Sequence, residues 1–471
     1  MIDDKNFRQS AHQMVDWIAD YLENIEKYPV KSQVQPGEIK AKIPNSPPSS
    51  NESFEAIMSD FEKVLLPGIT HWQSPKFHAY FPGNSSYPSL LGEMLTSAIG
   101  AQCMIWETSP AAAELEEKVL DWLRDAMMLP ANFKGVIQDT ASTATLSAIL
   151  TAREMATGFQ INEEGFQNGK FRVYCSSETH SSIEKAVKIA GIGRSNLLKV
   201  PTDNQLRLDP VELEKLIKED VDKGFTPVCV VATLGTTGTC AIDPLEAIGQ
   251  VTSKYKVWLH VDAAYAGTAL LLEECRWMIE GIENADSFVF NPHKWMFTNF
   301  DCTAYYVKDE EALIRTFEVL PEYLKTKTRG LVNDFRDWGI PLGRRFRALK
   351  LWFVIRSFGI KGIQEKLRNH IELAAQFEKW INDSDDFETV IDRSLNLVCF
   401  RLKPPLINNP DQLNEMNQKL VELLNSSGKI YLTHTKVDEK YALRIVIGQT
   451  NVQLRHIEEN WELIRRMASE I

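Results

Sequence analysis

Four short apolar runs, separated by segments with helical periodicity, dominate the pattern between about residue 110 and residue 310. The runs cover residues 171–175, 228–233, 257–261 and 287–290. Continuous apolar runs of this length are typical of strands buried on both faces, which occur in mostly parallel sheets covered by helices. The pattern therefore predicts an α/β fold whose large domain is built on a mostly parallel sheet.

The pattern changes on both sides of this region. Apolar residues recur at three- and four-residue steps between Phe7 and Leu22, which predicts an amphipathic helix. This helix cannot bury its own apolar face, so residues 1–85 are predicted to form a helical N-terminal arm that packs on the protein or on a second copy. Residues 86–349 are predicted to form the large domain. Residues 350–471 mix a long helix with short strands, which predicts a small C-terminal α/β domain.

The composition limits the class of protein. With 44% hydrophobic and 25% charged residues the chain is typical of a globular protein. The net charge of −12 argues against binding to nucleic acid, because phosphates require clustered lysines and arginines. The seven cysteines form no CxxC pair, so neither a disulfide framework nor a metal site is predicted. Since neither a signal peptide nor a membrane span is recognisable, we expect a cytoplasmic protein without membrane association.

Polar residues follow the predicted buried strands. His180, Thr237, Asp262 and Lys294 each stand a few residues after one of the apolar runs. Ligands of parallel sheets bind beyond the carboxyl ends of the strands. The four residues are therefore predicted to share one edge of the sheet.

Lys294 and Asp262 have the clearest chemistry. Lys294 lies between an apolar run and Trp295, and apolar neighbours keep an amine neutral and nucleophilic towards a carbonyl group. Asp262 follows a buried run, where a carboxylate requires a cationic partner. Pyridoxal 5′-phosphate needs both groups, an amine for its aldehyde and a carboxylate for its protonated ring nitrogen. A solvated lysine and a helix-capping aspartate are the ordinary alternatives.

Other residues have more than one interpretation. Residues 135–145 are interpreted as a small, polar turn that leads into a helix over residues 146–153, and the N-terminus of that helix is a potential phosphate site. Ordinary helix capping explains the same segment equally well. His180 is a stacked ring, an acid-base group or a packed histidine. Thr237 is a cofactor contact or a turn residue.

Taken together, these segments resemble the aromatic-L-amino-acid decarboxylase family, which belongs to the group II pyridoxal-phosphate decarboxylases. The resemblance covers nearly the whole chain, from residues 71–75 and 79–82 to residues 340–347. It implies fold type I of the pyridoxal-phosphate enzymes, with pyridoxal 5′-phosphate as the cofactor. It also implies decarboxylation of an aromatic L-amino acid, of the tryptophan, 5-hydroxytryptophan, tyrosine, DOPA or phenylalanine class, to the amine and carbon dioxide.

The resemblance also implies roles for individual residues. Lys294 binds the cofactor covalently, Asp262 pairs with the ring nitrogen, and His180 stacks on the ring opposite Ala264. The other implied cofactor contacts are Ala141, Ser142, Thr237, Asn291, His293, Leu342 and Gly343. The implied substrate contacts are Trp72, Tyr80, Phe81, Gly83 and His180.

Tyr323 is expected to determine the product. By the resemblance it lies on a mobile loop of about residues 318–332 and assists protonation of the substrate, which favours an amine. Relatives with phenylalanine at this position make aldehydes, so an aromatic acetaldehyde synthase is the nearest alternative. A histidine decarboxylase on the same scaffold is another, although Gly343 resembles the aromatic-specific branch. A non-catalytic interaction module is the alternative from a different class.

The resemblance further implies a homodimer with active sites at the subunit interface. The first helices embrace the partner, and the loop that carries Tyr323, together with Leu342 and Gly343, serves the partner's site.

Overall fold

The structure, a computed structural model, describes residues 6–167, 169–319 and 332–471. The helices are α1 (Phe7–Glu23), α2 (Glu38–Lys42), α3 (Phe54–Asp60), α4 (Tyr87–Ile99), α5 (Pro110–Ala126), α6 (Ala141–Thr157), α7 (Gln160–Glu164), α8 (Ser182–Ile189), α9 (Pro210–Asp222), α10 (Leu245–Tyr255), α11 (Pro292–Trp295), α12 (Glu310–Phe317), α13 (Arg347–Asn382), α14 (Pro410–Ser426) and α15 (Leu454–Ala468). The strands are β1 (Lys134–Gln138), β2 (Phe171–Ser176), β3 (Leu197–Val200), β4 (Thr226–Thr233), β5 (Trp258–Asp262), β6 (Ser287–Phe290), β7 (Thr303–Val307), β8 (Phe387–Thr389), β9 (Leu397–Leu402), β10 (Thr433–Val437) and β11 (Lys440–Val446).

The chain forms two compact units. The large unit comprises Gly83–Ile371 and Ile391–Leu397, and the terminal unit comprises Met1–Pro82, Glu372–Val390 and Val398–Ile471. This division differs from the three predicted segments, because the N-terminal residues share a unit with most of the C-terminal ones. The predicted boundary after residue 349 falls in the first turn of α13, and the division instead follows Ile371 within that helix.

A seven-stranded sheet organises the large unit. Its strand order is β1-β7-β6-β5-β4-β2-β3. The pairs among β2, β3, β4, β5 and β6 are parallel, whereas β7 runs antiparallel to both of its neighbours. The prediction of a mostly parallel sheet is confirmed, and the four apolar runs correspond to β2, β4, β5 and β6.

The interpretation of residues 135–145 as a turn is wrong in its first part. Residues 134–138 form β1, and α6 begins at Ala141 instead of at residue 146. Gly135 fits this strand because a Cβ atom at this position would lie only 2.9 Å from the ring of Tyr306. The Thr140 hydroxyl accepts a hydrogen bond from the Thr143 N–H and so begins the helix.

Helices cover the sheet and bury its side chains. One face packs against α6, which contributes Ala148 and Ala152 to a core that includes Val173, Val231 and Val289. Small alanines let this helix approach the strands closely. The sheet therefore holds the start of α6 and the ends of β5 and β6 in one rigid framework.

The terminal unit has its own sheet and core. Its strand order is β10-β11-β9-β8. Phe377 of α13, Phe400 of β9 and Trp461 of α15 pack together in the core. Across the ranges described above, no helix is both long enough and apolar enough to cross a membrane.

Candidate active site

The ends of four parallel strands bring the predicted site residues together. The strand order places β6, β5, β4 and β2 side by side. Lys294, Thr237 and His180 lie in the segments that follow β6, β4 and β2, and Asp262 ends β5. Because neighbouring parallel strands end at the same edge of a sheet, the predicted shared edge is confirmed.

Asp262, the last residue of β5, supplies a buried negative charge. Its side chain is only 5% exposed, and its Oδ1 accepts a hydrogen bond of 3.0 Å from the Ala264 N–H. In the described part of the chain, no lysine or arginine forms an ion pair with this carboxylate. Burying a carboxylate in this way is costly unless a cation binds beside it. A protonated pyridine nitrogen meets that requirement.

Lys294 lies on α11, a helix of four residues that follows β6. The main chain there is held by Asn84, whose N–H donates to the His293 carbonyl oxygen at 3.0 Å. The Asn84 side chain donates to the Lys294 carbonyl oxygen at 2.7 Å. Lys294 itself is partly exposed.

His180, in the segment that follows β2, has a neutral ring. Its Nδ1 accepts a hydrogen bond of 3.1 Å from the Ser182 N–H, so the proton lies on Nε2. Desolvation by the surrounding protein lowers the pKa of His180, while Asp262 raises it and Lys294 lowers it. The lowered pKa agrees with the neutral ring that the contact with the Ser182 N–H requires.

Asn291 has a side chain suited to an anion. It is 3% exposed and precedes α11 as its N-cap residue. Its Oδ1 lies 2.9 Å from the Thr303 hydroxyl, whose single hydrogen is shared with the Asp139 carbonyl oxygen at 3.1 Å. Among the described residues, no hydrogen bond engages the Asn291 Nδ2. An available amide donor therefore lies near the N-terminus of α6, where phosphate groups bind.

His293, which is predicted to contact the cofactor, is tightly packed. Its ring is 4% exposed, and Nδ1 lies 2.8 Å from the Cys302 carbonyl oxygen and 3.0 Å from the Cys302 nitrogen. Burial and the neighbouring Lys294 lower the pKa of His293 to about 3. The ring is neutral, and only Nε2 remains for a cofactor.

The other predicted residues are placed as follows. Ala264 is partly exposed, Thr237 is exposed in the turn after β4, and Ala141 and Ser142 begin α6. Leu342 and Gly343 are exposed in the large unit, to which Gly83 also belongs. Tyr323 lies outside the described residues.

Three predicted substrate contacts belong to the terminal unit. Trp72 and Tyr80 stack with their ring centroids 5.9 Å apart, and they are 38% and 47% exposed. Phe81 is buried beneath the guanidinium group of Arg444, which lies 5.2 Å from its ring centroid. Trp72 and Tyr80 therefore offer a flat aromatic surface to a ligand.

The sequence interpretation missed a set of buried polar residues that support the site. His260, two residues before Asp262, contacts Thr145 of α6 at 3.1 Å through Nε2 and Ser287 of β6 at 2.9 Å through Nδ1. Asn84 and Thr303 were also missed. A histidine inside an otherwise apolar run was the one available signal, because a buried imidazole requires hydrogen-bond partners.

The residues fit pyridoxal 5′-phosphate. In the part of the chain that the structure describes, the edge of the sheet combines a partly exposed lysine, a buried carboxylate without an ion-pair partner, a neutral ring and amide donors at a helix N-terminus. Within the residues placed by the structure, no cluster of three or more histidine, cysteine or acidic side chains is arranged to hold a metal ion.

Comparison with known proteins identifies the family. A family model described as the pyridoxal-dependent decarboxylase conserved domain matches residues 36–403. The chain belongs to this family. As a pyridoxal-dependent decarboxylase it is a carboxy-lyase that uses pyridoxal phosphate, and its fold is type I of the pyridoxal-phosphate enzymes.

Two relatives illustrate the range of this decarboxylase family. Tyrosine decarboxylase 4 of Petroselinum crispum is 42% identical over 478 aligned positions, which cover 98% of this chain and 93% of the relative. Phenylacetaldehyde synthase of Arabidopsis thaliana is also 42% identical, covering 99% of this chain and 97% of the relative. The likeness in sequence thus extends to enzymes named for amine and for aldehyde formation.

A solved structure supports the same assignment. The crystal structure of Catharanthus roseus tryptophan decarboxylase in complex with L-tryptophan superposes on this decarboxylase with a TM-score of 0.94 at 40% sequence identity. The superposition covers 100% of this chain and 99% of the other.

Proposed function

We propose that the protein decarboxylates aromatic L-amino acids to the corresponding amines and carbon dioxide. The observation that carries this proposal is the buried Asp262 carboxylate, which lacks a cationic partner among the described residues and shares its edge of the sheet with Lys294 and His180. Tyrosine decarboxylase 4 and tryptophan decarboxylase, to which the chain is similar over nearly its whole length, support the aromatic substrate class.

The proposed cofactor site uses the residues of this edge. Lys294 would hold the cofactor covalently, and Asp262 would pair with its ring nitrogen. His180 and Ala264 would lie on opposite faces of the ring, and Thr237 would contact its rim. Ala141, Ser142, Asn291 and His293 would bind the phosphate at the start of α6, where the helix dipole and free N–H groups favour an anion.

The chemistry of the bound cofactor depends on the charges that the protein provides. Pyridoxal phosphate supplies an electron-poor ring that accepts the electron pair left when the substrate carboxylate departs as carbon dioxide. Asp262 stabilises the positive charge on the ring nitrogen and so keeps the ring electron-poor. His180 is neutral, because its Nδ1 accepts the Ser182 N–H, and therefore adds no positive charge that would repel the ring.

Trp72, Tyr80 and Phe81 are proposed as the residues that favour an aromatic side chain, with Gly83 and His180 as further substrate contacts. The exposed, stacked rings of Trp72 and Tyr80 support this part of the proposal. On such a surface a flat ring gains stacking energy in addition to buried apolar area, whereas an aliphatic side chain gains only the buried area and an acidic one loses hydration.

We also propose a cytoplasmic homodimer in which Tyr323, Leu342 and Gly343 serve the partner's site. Helix α4 supports the dimer. It exposes an apolar stripe at helical spacing, formed by Tyr87, Leu91, Met94, Leu95 and Ile99. An exposed stripe of several large apolar side chains is typical of a protein interface.

A substrate panel tests the proposed reaction. Purified holoenzyme is incubated with tryptophan, 5-hydroxytryptophan, tyrosine, DOPA, phenylalanine and histidine, while carbon dioxide, amine, aldehyde and peroxide are measured. We expect carbon dioxide and amine in equal amounts from at least one aromatic acid. Turnover of histidine alone would contradict the substrate class.

An aromatic acetaldehyde synthase is the second candidate, favoured by the likeness to the phenylacetaldehyde synthase of Arabidopsis thaliana. Tyr323 supports the amine product instead. Aldehyde and peroxide in amounts equal to the carbon dioxide would establish the second candidate.

A further inference from the structure

Trp295, the residue after Lys294, is fully buried against Tyr265. The two rings are parallel, with an interplanar angle of 4° and a centroid separation of 5.0 Å. Tyr265 directly follows Ala264 in the segment after β5, whereas Trp295 lies in the segment after β6. The stack therefore joins the segment that carries Asp262 to the segment that carries Lys294.

Buried polar contacts hold both rings of this stack. The Trp295 Nε1–H donates to His370 Nδ1 at 2.9 Å, and Asn396 Nδ2 donates to the Tyr265 hydroxyl at 2.6 Å. His370 is 1% exposed and Asn396 is 0% exposed. Satisfied hydrogen bonds in a buried site select one arrangement, because any other arrangement leaves a polar group without a partner.

The helix that carries His370 is itself fixed in the large unit. Gln364 of α13 donates to the Leu271 carbonyl oxygen at 2.7 Å. Arg368 forms two hydrogen bonds with the Glu274 carboxylate, at 2.8 and 3.1 Å. Gln364 and Arg368, which lie about one helical turn apart before His370, are thus anchored to the segment that follows Tyr265.

We propose that Trp295, held by His370, is a positioning residue that sets the distance of the Lys294 amine from Asp262. The proposal rests on the proposed function, in which these two groups bind opposite ends of one cofactor. A helix of four residues such as α11 cannot fix its own orientation. Asn84 holds its main chain, and the stack on Tyr265 holds the side chain that follows Lys294. Displacing a catalytic group by about 1 Å costs up to about a hundredfold in rate.

Three variants test this proposal. Trp295→Phe keeps a ring against Tyr265 but removes the N–H that His370 accepts. His370→Leu removes the acceptor, and His370→Asn restores one, because the Asn Oδ1 occupies the place of the imidazole Nδ1. We expect Trp295→Phe and His370→Leu to lower kcat about tenfold with KM changed less than about twofold, and His370→Asn to recover most of the loss.

Two measurements separate positioning from general stability. The cofactor dissociation constant, titrated into cofactor-free protein, is expected to rise in Trp295→Phe and His370→Leu, with an altered absorbance spectrum of the bound cofactor. The double variant is expected to lose no more than either single one, because both remove the same hydrogen bond. Trp461→Phe, which removes a buried indole from the terminal unit, is the control and is expected to change only the Tm.

The proposal is overturned if Trp295→Phe and His370→Leu retain wild-type kcat, spectrum and cofactor affinity, whatever happens to their Tm. If Trp295→Phe does not fold, the comparison of His370→Leu with His370→Asn decides alone. Lys294→Ala and the substrate panel separate a failure of the positioning proposal from a failure of the proposed function. Loss of turnover in Lys294→Ala together with unchanged Trp295 and His370 variants removes only the positioning role. Full turnover in Lys294→Ala removes the proposed role of Lys294 and with it the positioning role, whereas no carbon dioxide from any aromatic acid of the substrate panel removes the proposed function.

Discussion

The Nε2 atom of His260 lies 3.1 Å from the Thr145 hydroxyl, and this contact joins strand β5 to helix α6. Its other ring nitrogen contacts Ser287 at the start of β6. The buried imidazole of β5, the strand of Asp262, thus contacts both α6, which begins at the proposed phosphate site, and β6, which precedes Lys294. Burial lowers the pKa of His260 to about 4, so the ring is neutral in the folded protein.

This relationship predicts how stability depends on pH. The unfolded chain takes up a proton at His260 near pH 6.5, whereas the folded protein does so only near pH 4, so the free energy of unfolding decreases as the pH falls between these values. By about pH 5 the expected contribution of His260 is a loss of about 2 kcal/mol. Urea unfolding of the wild type and of His260→Gln at a series of pH values measures it.

Between neutral pH and about pH 5, the free energy of unfolding of His260→Gln is expected to fall by about 2 kcal/mol less than that of the wild type. His434→Gln, which changes an exposed histidine of the terminal unit, serves as the control and should follow the wild type. A His260→Gln profile that runs parallel to the wild-type profile would show that His260 does not titrate between the folded and unfolded states.

Asp262→Asn tests the role of the buried carboxylate. The amide cannot stabilise a protonated ring nitrogen, so we expect kcat to fall by at least about a hundredfold, as for loss of other charge-stabilising groups. The fold is expected to persist, because Asn can still accept the Ala264 N–H. Steady-state kinetics and the Tm of cofactor-free protein are measured together.

The matched control is Asp286→Asn, which changes a carboxylate that accepts the Leu259 N–H at the start of β5. We expect this control to retain turnover. If Asp262→Asn also retains wild-type kcat, the carboxylate has no part in the chemistry.

Thr303 is predicted to support phosphate binding through Asn291. Thr303→Val removes the hydrogen bond to the Asn291 Oδ1 and frees the amide to turn away from the start of α6. Because one hydrogen bond is lost, we expect the dissociation constant of the cofactor to rise by up to about tenfold in Thr303→Val. Thr303→Ser keeps the hydroxyl and is expected to bind like the wild type; equal affinities in all three proteins would exclude this role.

Elements that are defined by a local pattern of residues can be predicted from the sequence, whereas contacts between residues that are distant in the chain cannot. Strands β2, β4, β5 and β6 were predictable because each buries both faces and therefore reads as one apolar run. Strand β1 was not, since Gly135 and Gln138 interrupt its pattern and its place depends on packing against Tyr306. The bond from Trp295 to His370 spans 75 positions in the chain, and no local pattern indicates it.

The same reasoning applies to the candidate site. Lys294 and Asp262 were predictable because reactive side chains after buried runs are unusual. Thr303 and Asn84 were not, because a threonine or asparagine in a connection is ordinary, and only the folded arrangement shows its partner.

The exposed stripe on α4 predicts the oligomeric state. Leu91 and Leu95 are 55% and 45% exposed and lie one helical turn apart. A charge at either position would be buried without a partner in a dimer interface, so Leu91→Glu with Leu95→Glu is expected to yield monomers in sedimentation velocity experiments. Val211→Glu, on the exposed face of α9, should leave the dimer intact. A double variant that still sediments as a dimer would place the interface elsewhere.

The central claim is that Lys294 is the residue to which the cofactor is attached. Reduction of the holoenzyme with borohydride fixes the cofactor to its lysine, and mass spectrometry of the digested protein identifies the modified peptide. The account predicts a single pyridoxyl group on the peptide that contains Lys294, and none at this position in Lys294→Ala. A pyridoxyl group on another lysine of the wild-type protein, with Lys294 unmodified, would contradict the account.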